Sequence, residues 1–272
     1  MSGDTSGLHE REASFHDRWA SETRPEAVTI REAFEAPTAL ENRFVLRKMG
    51  DLSGVRLVDV GAGLGETSVY FAMRGALVTT VDLSPRMVEL AVDLGRRHGV
   101  ALNGRVCPAE RLDLPDGSAD VVFAANLLHH LTDRNAFLAE ARRVLRPGGR
   151  FFAWDPLAYN PVIVIYRRMA RAVRTEDETP LTFADLDLVR RNFERVGHRE
   201  FWIASLALFV KYYLVDRVHP GKDRYWKRIL SERPRDLWWW YPLRMLDAPL
   251  TRIPVVRRLA WNMVVWGTRP AR

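Results

Sequence analysis

The feature that most constrains this chain is a glycine-rich turn between an apolar strand and a helix. The run from Val58 to Gly65 reads VDVGAGLG, and a second apolar stretch ends on Asp82, seventeen residues after Gly65. Glycines let the backbone turn tightly and let a ligand approach where a Cβ would collide. A carboxylate at the end of the next strand can accept hydrogen bonds from two ribose hydroxyls. The pattern therefore predicts a site for a cofactor that contains a nucleoside.

The spacing of the glycines separates two kinds of nucleoside cofactor. A dinucleotide fingerprint has the form G-x-G-x-x-G, and its last glycine admits a diphosphate to the helix N-terminus. Here the glycines are Gly61, Gly63 and Gly65, and Glu66 stands where that last glycine is required. Because a carboxylate would repel a diphosphate, the loop favours a ligand with no phosphate and a cationic centre.

Length and composition allow one large domain, or one domain with an insertion. The 272 residues include a single cysteine, Cys107, which excludes an intramolecular disulfide and fits a reducing compartment. The N-terminal residues lack the basic start and apolar run of a signal peptide, and no apolar stretch reaches the roughly 20 residues that span a bilayer. We therefore expect a cytoplasmic protein.

The positive charge is concentrated in one segment. The chain has a net charge of +7, and the Lys, Arg, Asp and Glu residues between Ser205 and Arg258 account for all of it. The same segment contains Trp226 and the run Trp238-Trp239-Trp240. Such a segment is either the core of an insertion, the wall of a lipophilic channel, or an anchor at a membrane interface.

Strands and helices alternate as far as Asp155, which predicts a parallel sheet covered on both faces. Predicted helices include Glu41–Met49, Glu66–Met73, a helix to His98 that is capped by Ser84 with Pro85 at its first position, and a helix from Asp133 to Leu145. Beyond Asp155 we expect a basic helix from Pro161 to Arg174, an acidic turn at 176–178 and a helix capped by Thr182. The predicted strands are Arg56–Val60, Leu77–Asp82, Arg105–Cys107, Asp120–Ala124, Arg150–Asp155, His198–Ile203 and Ala260–Trp266.

Several short sequence motifs, taken in their order along the chain, carry a family resemblance. Between Glu41 and Pro156 the chain carries VDVGAGLG at 58–65, VDLSPRM at 81–87, AERLDLP at 109–115, DVV at 120–122 leading to LHHL at 128–131, and VLRPGG at 144–149. These blocks resemble the class I S-adenosylmethionine-dependent methyltransferases, in the subgroup that acts on quinones and other small molecules. The resemblance implies an α/β fold, a Rossmann-like seven-stranded sheet with helices on both faces and an antiparallel last strand beside the sixth.

The resemblance also implies a division of the chain. Residues 1–50 would form a helical lid, and residues 51–204 the S-adenosylmethionine-binding core with a helical excursion at 157–181. Family members usually join strands six and seven by a tight hairpin, whereas here an α-rich insertion at 205–258 would take its place. Residues 259–272 would hold the last strand and a tail. Insertions at a ligand-bearing edge often act as lids or partner surfaces.

The resemblance assigns cofactor-binding residues one by one. Asp59 and the glycines 61, 63 and 65 would hold the methionine end of S-adenosylmethionine, and Asp82 would take the ribose hydroxyls. Leu83 would lie against the adenine, and Ala109 and Glu110 would border it. The family commonly has Asp before that Ala, whereas this chain has Pro108, so Glu110 or a backbone group would serve the adenine amino group instead. Asn126 would line the opening between cofactor and acceptor. The product would be S-adenosylhomocysteine.

Candidates for catalysis follow from the reaction itself. Methyl transfer depends largely on placement of the two reactants, and an oxygen acceptor also needs a base, commonly His. We name His130, His16 and Asp155 as catalytic candidates, and Tyr159 and His129 as acceptor contacts, against the alternative that the histidines only cap backbone or pack. We expect no metal site, because adjacent histidine side chains should diverge and no Cys or Asp cluster supports them.

The leading hypothesis is a methyltransferase that acts on a small, lipophilic acceptor and attaches peripherally to an anionic membrane surface at the inner face. One alternative is methylation of a soluble secondary metabolite, with the insertion as a lid. Another is a cofactor-binding interaction module without activity. A nucleic-acid partner ranks below these, because no base-reading motif accompanies the charge. The sequence leaves open the acceptor, the methylated atom and the oligomeric state.

Overall fold

The computed structural model describes residues 5–170 and 178–271, and these residues form a seven-stranded sheet. The strand order is β3-β2-β1-β4-β5-β7-β6. Only β7 runs antiparallel, between β5 and β6. The predicted fold class, including the antiparallel last strand, is confirmed. The strands are β1 (Arg56–Val60), β2 (Leu77–Asp82), β3 (Leu102–Val106), β4 (Ala119–Ala125), β5 (Leu145–Pro156), β6 (Glu194–Phe201) and β7 (Asn262–Thr268).

The strand predictions differ from the structure both inside the sheet and at its edges, and the interior strand β5 begins at Leu145 and not at Arg150. Strands β1 and β2 have the predicted bounds. Strand β3 begins at Leu102 and not at Arg105, and β6 begins at Glu194 and not at His198. Both are edge strands with one neighbour each, so their polar, partly exposed residues weaken the apolar signal from which strands are predicted.

Helices cover the sheet on both faces. Their bounds are α1 (Thr5–Glu22), α2 (Glu32–Glu35), α3 (Leu40–Met49), α4 (Glu66–Met73), α5 (Pro85–Arg97), α6 (Arg134–Val144), α7 (Pro161–Met169), α8 (Asp185–Asn192), α9 (Ala207–Leu214), α10 (Tyr225–Arg228) and α11 (Trp240–Leu250). The Ser84 hydroxyl caps α5 by accepting the Met87 N–H at 3.0 Å, as predicted. The end of the predicted helix to Arg174, and Glu176 and Asp177 of the acidic turn, lie outside the described residues.

Helix α1 packs against the start of α5. The Asp17 carboxylate accepts a hydrogen bond from the Ser84 hydroxyl at 2.5 Å and one from the Arg86 N–H at 3.2 Å. A carboxylate is favourable at a helix N-terminus, where free N–H groups point outward. This contact holds the N-terminal helix across the end of the sheet where β1 and β2 terminate.

The chain between β6 and β7 forms a helical insertion with its own aromatic core. Trp240, Tyr212 and Tyr225 are buried there, and the Trp240 indole N–H donates to the Ser205 carbonyl at 2.9 Å. Trp238 is 75% exposed, so the tryptophan run contains both a buried and an exposed side chain. The insertion core is continuous with the sheet core, which includes Trp202 at the end of β6. The predicted segment boundaries stay a prediction.

We expect Trp240→Ala and Trp238→Ala to differ sharply in stability. Removing the buried Trp240 leaves a large void, and such truncations cost about 3–5 kcal/mol of unfolding free energy. The exposed Trp238 should change that free energy by about 0.5 kcal/mol or less. Urea denaturation of both variants measures this difference, and equal midpoints would contradict the placement of Trp240 in the core.

Candidate active site

The three glycines after β1 all have a left-handed backbone, and two of them are required for different reasons. Gly61, Gly63 and Gly65 have φ angles of +70°, +54° and +86°, in the left-handed region that favours glycine. A Cβ on Gly65 would lie 2.4 Å from the Cβ of Ala91 in α5, so this glycine permits close helix packing. A Cβ on Gly63 would meet nothing within 4 Å. Gly63 therefore faces open space that a ligand can fill.

A cavity opens beside this loop at the carboxyl ends of β1 and β2, and we call it the nucleoside cavity. The Asp82 carboxylate at its wall accepts the Gly63 N–H at 2.9 Å and the Ser84 N–H at 2.9 Å. Glu110 Oε2 is buried and makes no hydrogen bond among the described residues, and His9 Nε2 lies 3.7 Å from it, so the oxygen can still accept a hydrogen bond from a ligand amino group. The predicted cofactor residues in its lining are Gly61, Gly63, Asp82, Leu83, Ala109, Glu110 and Asn126.

Asp59 and Gly65 lie behind the cavity walls and not in them. Asp59 is 1% exposed, and it accepts the Thr67 hydroxyl at 2.5 Å and the Ser68 hydroxyl at 2.7 Å. Burial raises the pKa of Asp59 to about 6 despite these two hydrogen bonds. The structure thus places Asp59 as a support that ties the start of α4 to β1.

A second cavity adjoins the first, and we call it the acceptor cavity. It runs along the carboxyl edge of the sheet from the glycine loop to the start of β7. Its walls are largely apolar and include Trp154, Ile163, Tyr166, Leu230 and Trp261. The residues that line both cavities, which we call the junction, are His16, Gly61, Gly63, Asn126 and His130. Two ligands bound in the two cavities would meet there.

Two distant parts of the sequence cover the acceptor cavity. Trp19 of α1 packs edge-on against Trp226 of the insertion, with ring centres 6.0 Å apart. The Arg224 guanidinium lies 4.3 Å from the centre of the Trp19 ring. Lys227 Nζ lies 3.0 Å from Glu66 Oε1 and so joins the insertion to the helix that follows the glycine loop. The sequence did not predict this cluster, because nothing local links Trp19 to Trp226.

His129 forms a buried pair with Asp155. Its Nδ1 lies 2.7 Å from Asp155 Oδ1, and its backbone N–H donates to the same oxygen at 3.1 Å. Asp155 is fully buried and lies behind His129 rather than in the acceptor cavity, and burial raises its pKa to about 7. Asp155 therefore contacts His129 and holds the orientation of its ring.

His130 and His16 share one carboxylate from α1. Glu12 Oε1 lies 3.1 Å from His130 Nδ1, and Glu12 Oε2 lies 3.5 Å from His16 Nε2. Burial opposes ionisation of Glu12, but its hydrogen bonds to the two histidines hold its pKa well below the usual range. Burial likewise opposes a charge on His16, yet the bond to Glu12 raises the pKa of His16. The structure thus brings His16 and His130 together at the junction.

The expectation that the adjacent histidines diverge is wrong. The 3₁₀ turn Leu128–His130 places the rings of His129 and His130 4.1 Å apart, and Glu178 lies close enough to complete a set of three metal-ligand side chains. The Arg167 guanidinium lies 3.0 Å from Glu178 Oε2 and already supplies positive charge there. A metal-free site stays a prediction.

Tyr159 lies away from the site. Its side chain is about one-third exposed, and its hydroxyl accepts the Phe183 N–H at 3.2 Å. Neither cavity lining includes it among the described residues. The sequence missed Glu41, Asn42 and Asn262, which line the far end of the acceptor cavity. In the sequence, only their polar side chains distinguish these three residues from their neighbours in a predicted helix and a predicted strand.

Residues 58–153 match a family of methyltransferase domains. Over this range the chain is similar to S-adenosylmethionine-dependent methyltransferases of class I. The matched range contains the glycine loop, Asp82, Glu110, Asn126 and both histidines of the 3₁₀ turn. Most of the nucleoside cavity therefore belongs to the methyltransferase domain, and the cover over the acceptor cavity does not.

Curated relatives match mainly over the same range. The ubiquinone biosynthesis O-methyltransferase of Xanthomonas oryzae pv. oryzae is 39% identical over 38% of this chain and 43% of the relative. The 27-O-demethylrifamycin SV methyltransferase of Amycolatopsis mediterranei is 40% identical over 44% of this chain and 45% of the relative. The chain thus spans less than half the length of these relatives.

Solved structures resemble this chain over more of its length. The phosphoethanolamine N-methyltransferase 2 of Haemonchus contortus, in complex with S-adenosyl-L-methionine, superposes with a TM-score of 0.57 and 16% identity. The match covers 86% of this chain and 53% of that structure. At this identity the likeness supports the fold of the methyltransferase domain and nothing about the acceptor.

Gly63→Ala and Gly65→Ala should fail for different reasons. Both carry the strain of a positive φ, about 1 kcal/mol. Only Gly65→Ala also forces a Cβ into α5, so it should lower the thermal midpoint far more. Gly63→Ala should fold and lose affinity for S-adenosylhomocysteine, because its methyl group enters the space left for the ligand. Calorimetric titration together with thermal unfolding separates the two effects, and normal ligand affinity in Gly63→Ala would contradict the site.

Proposed function

We propose that this chain transfers a methyl group from S-adenosylmethionine to a small, lipophilic acceptor. The observation that carries the proposal is the junction, where the nucleoside cavity and the apolar acceptor cavity share His16, Asn126 and His130. The quinone and rifamycin methyltransferases named above support a lipophilic acceptor. Formation of S-adenosylhomocysteine with lipid extract, metabolite extract or RNA as acceptor source tests the proposal and its alternatives together.

The residues around the nucleoside cavity fit this cofactor. The Asp82 carboxylate would accept the ribose hydroxyls, Leu83 would lie against the base, and Glu110 would accept the amino group. The open face of Gly63 leaves room for the sulfonium side of the molecule. When bound, the cofactor supplies an activated methyl group, and the chain has to place an acceptor in line with it at the junction.

For an oxygen acceptor, we propose that His130 removes the proton. His130 lines both cavities, and the carboxylate of Glu12 at its Nδ1 would stabilise the protonated ring. His129 is the second candidate, because Asp155 holds its Nδ1 and its ring also lines the acceptor cavity. Asp155 would then be a positioning residue.

We expect His130→Ala to lower turnover about 10²–10⁴-fold, because a positioned base contributes that much. Affinity for S-adenosylhomocysteine should change far less. His98→Ala, an exposed histidine at the end of α5, is the matched control and should leave turnover unchanged. If turnover falls less than about threefold in His130→Ala but strongly in both His129→Ala and Asp155→Asn, the base is His129.

The second part of the proposal is that the chain attaches peripherally to an anionic membrane. None of the described helices is long and apolar enough to cross a membrane. On α11 and the turn before it, Trp238, Tyr241 and Met245 follow helical spacing and are exposed, and Asp247 and Trp240 face inward. The insertion also carries the net positive charge, which complements anionic headgroups. An acceptor dissolved in the bilayer could then reach the cavity beneath the insertion.

Flotation with liposomes tests this attachment. Binding should be stronger to anionic than to neutral vesicles and should weaken with salt, since each Lys or Arg near an anionic surface adds about 1 kcal/mol. Changing Trp238 and Met245 to Ser should reduce flotation, because both are exposed, whereas Trp240 must be retained for folding. The alternative with a soluble metabolite and a lid predicts no flotation under any condition.

A further inference from the structure

The far end of the acceptor cavity carries two buried polar side chains. Glu41 at the start of α3 is 5% exposed and Asn262 at the start of β7 is 2% exposed, and both line the cavity. The Asn262 amide Nδ2 donates to Glu41 Oε1 at 2.7 Å. The cavity is otherwise largely apolar at this depth, with Trp154 and Trp261 in its wall. Two polar groups held together there form a local site distinct from the junction.

One acceptor atom of this pair has no partner. Asn262 Oδ1 is buried without a hydrogen bond among the described residues. The neighbouring Asn42 differs, because its Nδ2 donates to the Ala33 carbonyl at 2.9 Å and its Oδ1 accepts the Trp154 indole N–H at 2.8 Å. A buried acceptor left unsatisfied lowers stability, and a ligand that donates a hydrogen bond would remove that cost.

The protonation state of Glu41 limits which hydrogen-bonding groups of a ligand can bind beside it. Burial raises the pKa of Glu41 to about 7, so the neutral carboxyl and the carboxylate coexist near neutral pH. An ammonium group can donate to the carboxylate or to Asn262 Oδ1, but it cannot accept the proton of a neutral carboxyl. A hydroxyl group matches both forms, because it can donate to a carboxylate or to Asn262 Oδ1 and can also accept from a neutral carboxyl.

The sheet fixes the distance between this pair and the junction. Asn126 follows β4, and Asn262 begins β7, with β5 between them. Adjacent strands lie about 4.8 Å apart, so two steps across the sheet separate the backbones of these residues by about 10 Å. The two polar ends of the acceptor cavity are therefore about as far apart as the ends of a two-ring aromatic molecule.

We propose that Glu41 and Asn262 form a subsite for a hydroxyl group of the acceptor, about 10 Å from the atom that receives the methyl group. The proposal rests on the proposed function only for the identity of the junction. It describes the acceptor as an elongated apolar molecule with a polar group at each end.

The test uses rod-shaped probes of known chemistry. 4,4′-Dihydroxybiphenyl carries a hydroxyl at each end, and 4-phenylphenol carries one. Calorimetric titration of the full chain, with and without S-adenosylhomocysteine, gives the ratio of their affinities. We expect the diol to bind about tenfold tighter or more, because a site built for a hydroxyl rejects an analogue that lacks it.

Substitutions at the subsite test whether the difference in affinity between the two probes arises there. In Asn262→Leu the ratio should fall to about one, because the second hydroxyl loses its acceptor. Glu41→Gln should lower the ratio as well and serves if Asn262→Leu folds poorly. Leu230→Ala, in the apolar wall, is the matched control and should weaken both probes in parallel without changing the ratio.

A ratio near one in the unmodified chain, binding of neither probe, or a ratio unchanged by both Asn262→Leu and Glu41→Gln would overturn the subsite. Failure to bind S-adenosylhomocysteine would instead overturn the proposed function. The titrations without S-adenosylhomocysteine still decide the subsite in that case, so the two failures are distinguishable.

Discussion

The site depends on the position of β1 between β2 and β4. The helices that follow β1 and β4 leave the sheet on opposite faces, so a cleft opens between the loops at the carboxyl ends of these strands. The glycine loop must turn into this cleft with left-handed backbone, and the Asp82 carboxylate holds it there by accepting the Gly63 N–H. A ligand that donates a hydrogen bond to the Asp82 carboxylate therefore binds next to the group that already holds the glycine loop in place.

The two halves of the site are built from different parts of the chain. The nucleoside cavity uses mostly residues from Val60 to Thr132, with a few side chains from α1. The acceptor cavity also needs α1, α3, the insertion and the start of β7. Thr38 Oγ1 donates to the Ile229 carbonyl at 2.6 Å and ties the N-terminal part to the insertion. Changes in the insertion can therefore alter the acceptor cavity while the nucleoside cavity keeps its shape.

The sequence was sufficient for the fold and for most of the nucleoside cavity, since turn chemistry, strand ends and helix caps are local signals. It placed Gly63, Asp82 and Glu110 at the cavity walls, and it also placed Asp59 there, which the structure puts behind them. Local patterns do not tell a ligand contact from a support when both occupy the same strand end. The pairing of His129 with Asp155 and that of Glu41 with Asn262 depend on strand order and on contacts between distant segments, which no local pattern reveals.

Buried carboxyl groups surround the junction, and their protonation bears on methyl transfer. Burial raises the pKa of Asp59 to about 6 and that of Asp155 to about 7, whereas the pKa of Glu12 is held well below its usual range, against the effect of burial, by hydrogen bonds to His130 and His16. A ring of unpaired carboxylates would stabilise a cationic ligand before transfer and lose that stabilisation afterwards, which slows the reaction. Pairing of Glu12 with His16 and His130, and of Asp155 with His129, reduces this penalty at the junction.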